Sequence, residues 1–399
     1  MADNGLIDKV HDLSDLELAV LLCLISREHC LISTPASALD ELVLELQLIA
    51  TKTFGLEWAV VDCSPSTTLE DFASSLLLTS PPPPDTSSGH HGGANATASY
   101  FSSSRSHHHS QQKPGTTPTR RTGLNGATSP GGGSSSPQIA NFVVARNLDR
   151  APHAVQIQAL ELLRTRRIFT RTTVQVAPKQ FVFVPVLAAP SGGCARVTPH
   201  LNDFLSIAHW HDPEHGFVNV EEQQGASEYP DNDDNDNDDG DVDGDQDADA
   251  ASTGSIVKRV RAERHPTAPA LISKDDIVCL REKGQKVRVD VDVVRYQMNV
   301  VSFLRMHRAV DQGITPAATK HFGQLMRNLA PLHRLDFVTP ALVGLAARKV
   351  YLHRIRITDP RRERSMQWGS RLEAVEALLQ HVGPEEVLDD VMTMVTAPV

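Results

Sequence analysis

"VVARNLDRAP", residues 143 to 152, decides the fold. Val143 to Ala145 end an apolar run that reads as a buried strand, and Pro152 suits the first turn of a helix, where its missing N–H costs nothing. A strand delivered into a proline-started helix is an α/β junction, a layout often used to present acidic groups to magnesium and ATP. At this strand tip the chain instead carries Arg146 and Asn147.

The pattern extends in both directions. Downstream, a helix over 152 to 164 returns as the strand "FVFVPVLAA" at 181 to 189; upstream, "QIANFVVA" leads into the junction. Nearer the start, Ser14 and Glu17 form a capping-box pattern, and Leu16, Val20, Leu21 and Leu24 recur at helical spacing. The strand "HCLIST" follows. Thr34 and Pro35 restart a helix with Leu39, Leu42, Val43, Leu46 and Ile49 on one face, before "LEWAVVDCS" supplies another strand. Repeated strand, helix, strand units predict an α/β fold with a parallel sheet. After residue 256 the chain reads as helices near 273–284, 289–309, 316–329, 340–353 and 371–381.

Two stretches interrupt this grammar. Residues 80–136 are rich in Ser, Pro, Gly, Thr and His and predict a disordered insertion. Residues 223–256 predict an acidic disordered linker, whose centre "DNDDNDNDDGDVDGDQDADA" holds eleven aspartates. The expected organisation is therefore an α/β core in two parts, 12–79 and 137–222, and a helical domain at 257–399. The formal charge of −11 comes from the acidic tract, which leaves the folded remainder near neutral. Five widely spread cysteines without a CxxC pair argue against a disulfide scaffold and for a reducing compartment. The most apolar run, "LELAVLLCLI", is too short to span a bilayer and follows no basic signal region, so a cytoplasmic or nuclear protein is expected.

Several stretches resemble, in order, the MoxR-type and magnesium-chelatase ATPase-subunit branch of AAA+ proteins, and more closely fungal magnesium-chelatase-like proteins. They are "VDCSPSTTLEDF" (61–72), "NLDRAPHAVQIQALEL" (147–162), "QIQALELLRTRRIFTR" (156–171), "LISKDDIVCLREKGQKVRVDVDVVRYQMNVV" (271–301) and "ERSMQWGS" (363–370). The resemblance covers most of the chain outside the two insertions. It implies an AAA+-like parallel sheet with flanking helices, an all-helical lid, ATP with magnesium as cofactor, and an AAA+-type oligomer.

The departures from that branch bear on function. A P-loop needs glycines for close backbone approach to phosphate and a lysine for charge, yet "STPASALDE" at 33–41, including Ser33 and Thr34, has neither. Arg146 and Asn147 stand where the resemblance implies a magnesium carboxylate and its catalytic neighbour. Ala341, in "VTPALVGLAARK", stands where it implies a phosphate-sensing arginine. A degenerate module with no catalytic residue and no cofactor is expected, acting as a scaffold or interaction subunit for protein partners. The alternative is a magnesium-chelatase-like ATPase subunit, using ATP and magnesium, whose catalytic residues are non-standard or supplied by a partner.

Other clusters carry weaker chemistry. His209, His211 and His215, with Asp212, could ligate zinc, but their spacing fits no established metal motif and the bland reading is a solvated turn after a core strand. Asp239, Asp241, Asp243 and Gly244 echo the start of a calcium loop that lacks its terminal glutamate, Ala250 standing there. His107, His108 and His109 could capture metal adventitiously. Arg150, Arg164, Arg167, Arg354, Arg361 and Arg364, with Trp368, form a candidate interaction surface. A nucleic-acid reading of these arginines rests on charge alone. "APSGGCA", within 188–195, reads as a loop after the core strand rather than a nucleophile site.

Overall fold

The computed structural model describes residues 2–78, 138–171, 173–227 and 270–398. Both predicted insertions, with the histidine triplet and the calcium-like aspartates, lie essentially outside these residues. Five strands form one parallel sheet: β1 (His29–Thr34), β2 (Trp58–Asp62), β3 (Phe142–Arg146), β4 (Val182–Ala188) and β5 (Leu205–Trp210). Their spatial order is β2, β3, β4, β1, β5.

Strand alternation divides the core into two layers. Cys30, Ile32, Phe142, Val144, Val182, Val184 and Val186 face one apolar cluster, whereas Leu31, Val143, Ala145, Phe183 and Leu187 face the other. Such strands are apolar on both sides, as a parallel sheet covered on both faces requires. On the first face lie α2 (Asp15–Ser26) and α3 (Leu39–Leu48); on the second lie α4 (Leu69–Ser75), α5 (His153–Thr165) and α6 (Pro199–Phe204). The faces follow from chain direction. The step from β1 to β2 runs opposite to the later steps, so right-handed crossovers place its helix α3 on the opposite side.

The elements start where their sequences provide caps. Ser14 caps α2 and accepts from the Glu17 N–H, while the Glu17 carboxylate accepts from the Ser14 N–H at 2.8 Å. Thr68 and Asp71 form the same reciprocal box at α4, and Ser273 with Asp276 at α8 (Lys274–Lys286). The remaining helices are α1 (Ala2–His11), α7 (Val218–Ser227), α9 (Val291–Met306), α10 (Pro316–Leu332), α11 (Pro340–Tyr351), α12 (Leu372–Leu379) and α13 (Pro384–Met394).

The C-terminal helices do not stand apart from the sheet. α2 packs on β1, β4 and β5 on one side and on α8 and α10 on the other, and one apolar cluster runs from Leu6 through Ile32 and Phe322 to Val395. A buried carboxylate fixes the root of the acidic stretch: Glu45 of α3, fully buried, accepts from Asn219 N and Nδ2 and from Val220 N at the start of α7. No helix among the described residues is long and apolar enough to cross a membrane. The five cysteines are free, with Cys23, Cys30 and Cys63 buried.

Candidate functional site

The carboxyl ends of β1 and β4 define the place to look. These strands are adjacent, their following helices lie on opposite faces, and open α/β sheets bind ligands at such a divergence. Here β1 passes through Pro35 into a single 3-10 turn, Ala36–Ala38, and directly into α3. Thr34 is fully buried and its Oγ1 donates to the His211 carbonyl at 3.0 Å. Ser33 is 2% exposed, and its carbonyl accepts from His211 N. Ala189 N bonds the Thr34 carbonyl, and the Trp210 indole N–H reaches Ala189 O at 3.3 Å. Strand tips that would flank a ligand are thus laced to one another.

Arg146 ends β3 in register with Asp62 of β2 and Val186 of β4. Its guanidinium forms ion pairs with Asp40, on the first turn of α3, and with Asp62 at 3.5 Å. Asp40 and Asp62 are about three-quarters exposed, so the ion pairs hold geometry more than they stabilise the fold. A carboxylate on the first turn of α3 also complements the helix dipole that an anionic ligand would otherwise use. Asn147 adopts the left-handed conformation at φ 53°, which lets the chain turn sharply into Leu148–Arg150 and α5. Among the described residues, Arg146 Nε and Asn147 Oδ1 are buried without a hydrogen-bond partner.

The other expected positions disperse. Ala341 lies exposed on the first turn of α11, where it presents only a methyl group. Lys349, later on that helix, reaches β5 and donates to His209 Nδ1 at 3.0 Å. Burial lowers the Lys349 pKa, and burial with the Lys349 charge takes His209 down to about 3. His209 and His211 are each 6% exposed, so they do not form the solvated turn expected from sequence; only His215 is exposed. The two buried rings lie 6.2 Å apart, His211 Nε2 meets the Gly216 carbonyl, and no His, Cys, Asp or Glu group suited to a metal ion occurs among the described residues.

Arg354 corrects the surface reading. It is 3% exposed and its guanidinium donates to the carbonyls of Ser206, Val350, Asp203 and Leu205 and meets His321 Nδ1. Burial pushes its pKa down to about 10, with Asp203 opposing that shift. It clamps the C-terminal helices to β5 rather than meeting solvent. Arg150, Arg164, Arg167, Arg361, Arg364 and Trp368 are exposed, but Arg150 and Arg164 bracket α5, about 20 Å apart at 1.5 Å per residue, and do not form one patch. The "PSGGCA" segment is a loop after β4 held by α13, with Gly193 N donating to Glu385 and Arg196 bonding the Ile355 carbonyl at 2.7 Å.

Sequence reading missed the ion pairs of Arg146. Asp40 falls two positions into a helix and Asp62 at a strand end, and nothing in their spacing signals that both meet one guanidinium. It also missed Lys349, whose place on the inner edge of α11 depends on the way that helix docks.

Comparison with known proteins supports the fold. A crystal structure of a candidate ATPase from Cytophaga hutchinsonii ATCC 33406 matches with a TM-score of 0.57 and 12% identity over 99% of this chain and 94% of that one. A full-length MCM homolog from Methanopyrus kandleri aligns over 88% of this chain and 58% of its own, with 8% identity and a TM-score of 0.39, too low to argue from. In sequence, the chain is 24% identical over 145 residues to the protein YeaC of Bacillus subtilis (strain 168); the match spans 36% of this chain and 40% of that protein. No protein-family model matches the chain. The architecture is an AAA+-like α/β fold with a helical C-terminal region.

Proposed function

We propose that this AAA+-like chain is a non-hydrolysing scaffold or interaction subunit, related to the magnesium-chelatase and MoxR-type branch, with its C-terminal helices as the lid. The observation that carries this reading is the Arg146 ion cluster. Where magnesium would need carboxylate ligands there is a guanidinium, and Asp40 sits on the helix turn that would approach the phosphates. A cation at the metal position repels magnesium, and an anion at the phosphate position repels nucleotide. The short Pro35–Ala38 connection supplies neither glycine nor lysine to enclose phosphate, and Thr34 is committed to the His211 carbonyl. Magnesium-ATP therefore does not fit these residues. Its natural use is to join an assembly through protein partners, which an AAA+-type oligomer would provide.

Equilibrium binding of ATP and ADP to the purified chain, with and without magnesium, tests this, with hydrolysis followed on the same sample. The expected result is no magnesium-dependent binding at millimolar nucleotide and no turnover. Magnesium-dependent binding with turnover would overturn it in favour of an ATPase subunit with non-standard or partner-supplied catalytic residues.

A further inference from the structure

The C-terminal helical region presents one surface whose construction the nucleotide site does not explain. A 3-10 turn, Arg364–Trp368, holds Trp368 87% exposed. The turn is firmly built. Glu363, itself 3% exposed, accepts from Ser365 N at 2.9 Å and pairs with Arg308 at 3.4 Å, while Gly369 closes the turn at φ 84°. Arg361 and Arg362 precede the turn, Arg371 follows it, and Arg364 reaches the Arg305 carbonyl at the end of α9. Among the described residues none of Arg305, Arg361, Arg362, Arg364 and Arg371 has a carboxylate partner. A fixed, exposed tryptophan framed by unpaired arginines has the composition of an interaction hot spot.

We propose that the aspartate-rich tract of this same chain, residues 231–250, docks on the arginine–tryptophan corner around Trp368. Charge complementarity selects it. The tract contributes eleven negative charges and no positive ones, equal to the whole formal charge of −11, so the rest of the chain is formally neutral and this corner is a local excess of the opposite sign. Reach permits it. The described residues stop at Ser227 and resume at Ala270, so the centre of the tract lies about 13 residues from the first anchor and about 30 from the second, roughly 45 and 100 Å when extended. A compact unit of this size is about 50 Å across. Tethering gives the tract a millimolar effective concentration, enough for a weak multivalent contact to persist. Glu373 and Glu376 line the adjoining groove with Pro360 and Ile357, and their repulsion confines the acidic segment to the arginine side. This inference is independent of whether nucleotide binds.

The test uses the full-length chain. Acrylamide quenching of tryptophan emission, with the signal of a Trp368→Phe variant subtracted, isolates Trp368 from Trp58 and Trp210. Replacing the eleven aspartates of 231–250 by asparagine is expected to raise the quenching of Trp368 at least threefold, and 1 M salt is expected to do the same to the unaltered chain, since the screening length then falls to about 3 Å. A combined Arg361→Gln, Arg362→Gln, Arg364→Gln variant, checked by circular dichroism, should show the same rise without touching the tract. Equal quenching with and without the aspartates overturns the proposal. Protection that appears only as protein concentration rises would assign the corner to the tract of a second copy and overturn docking within one chain. Tight binding of a single-stranded DNA oligonucleotide by the unaltered chain at 0.15 M salt would also overturn it, since the corner would then be open to nucleic acid.

Discussion

Arg354 is a positive charge carried into the interior, where its terminal nitrogens donate to four backbone carbonyls and meet His321, while its Nε has no hydrogen-bond partner and lies 3.6 Å from the Asp203 carboxylate. Removing Arg354 takes a donor from each of those carbonyls and the charge partner from Asp203, although Leu205 O keeps His353 Nε2 and Asp203 keeps the Thr315 hydroxyl. Arg354→Met is therefore expected to destabilise the fold by about 3 to 5 kcal/mol, read from urea unfolding midpoints. Histidine burial sets the acid limit. Burial holds His29 at about 3, where its Nδ1 accepts from Phe183 N, and holds His209 at about 3 as well. An unfolded histidine titrates near 6.5. Between these values the unfolded chain takes up protons that the folded chain refuses, so stability is complete above about pH 6.5 and falls as the pH drops towards 3. The expected loss is up to about 1.4 kcal/mol per pH unit for each such histidine. His209→Gln should reduce the slope of unfolding free energy against pH by one proton over that window; an unchanged slope would refute this assignment.

Among the elements, the strands were legible where apolar runs were uninterrupted. "HCLIST" is β1 without adjustment, and the strand expected at 181–189 is β4 at Val182–Ala188. "QIANFVVA" divides at Ala140–Asn141: Gln138–Ile139 pairs with Leu77–Leu78, and β3 begins at Phe142. The hairpin Arg167–Phe169 with Val174–Val176 escaped notice because its outward face exposes Phe169, Val174 and Val176, leaving no buried alternation to detect. α1 and α13 were also missed. The Arg146 ion cluster was legible in one partner only, since Asp40 and Asp62 meet it through tertiary packing. The short antiparallel pair Val310–Gln312 with Arg356–Ile357 depends on Gly313 at φ 115°. A Cβ there would lie 1.9 Å from the Arg354 carbonyl oxygen. Gly313→Ala is expected to cost about 3 kcal/mol and to lower the thermal midpoint accordingly.

At the scale of the whole molecule, the shared apolar cluster makes the sheet and the C-terminal helices one folding unit. α2, α8 and α10 share one cluster, so separating the halves opens the layer that α2 covers, whereas the layer on the other sheet face lies wholly within residues 31–208. Unfolding followed by circular dichroism and by tryptophan emission should therefore give coincident single transitions. A chain ending near residue 227 should expose the outer face of α2 and aggregate, with sedimentation showing loss of the monomer; two resolved transitions or a soluble truncated core would contradict this. The connection from β1 to α3 bears on the history open to such a molecule. Only Pro35 and the turn Ala36–Ala38 separate the strand from the helix. Base changes exchange side chains, but they cannot lengthen a main chain that has no slack. Gaining a loop that wraps phosphate would demand inserted codons at this junction, together with release of Arg146 from two carboxylates, so no series of single base changes supplies one.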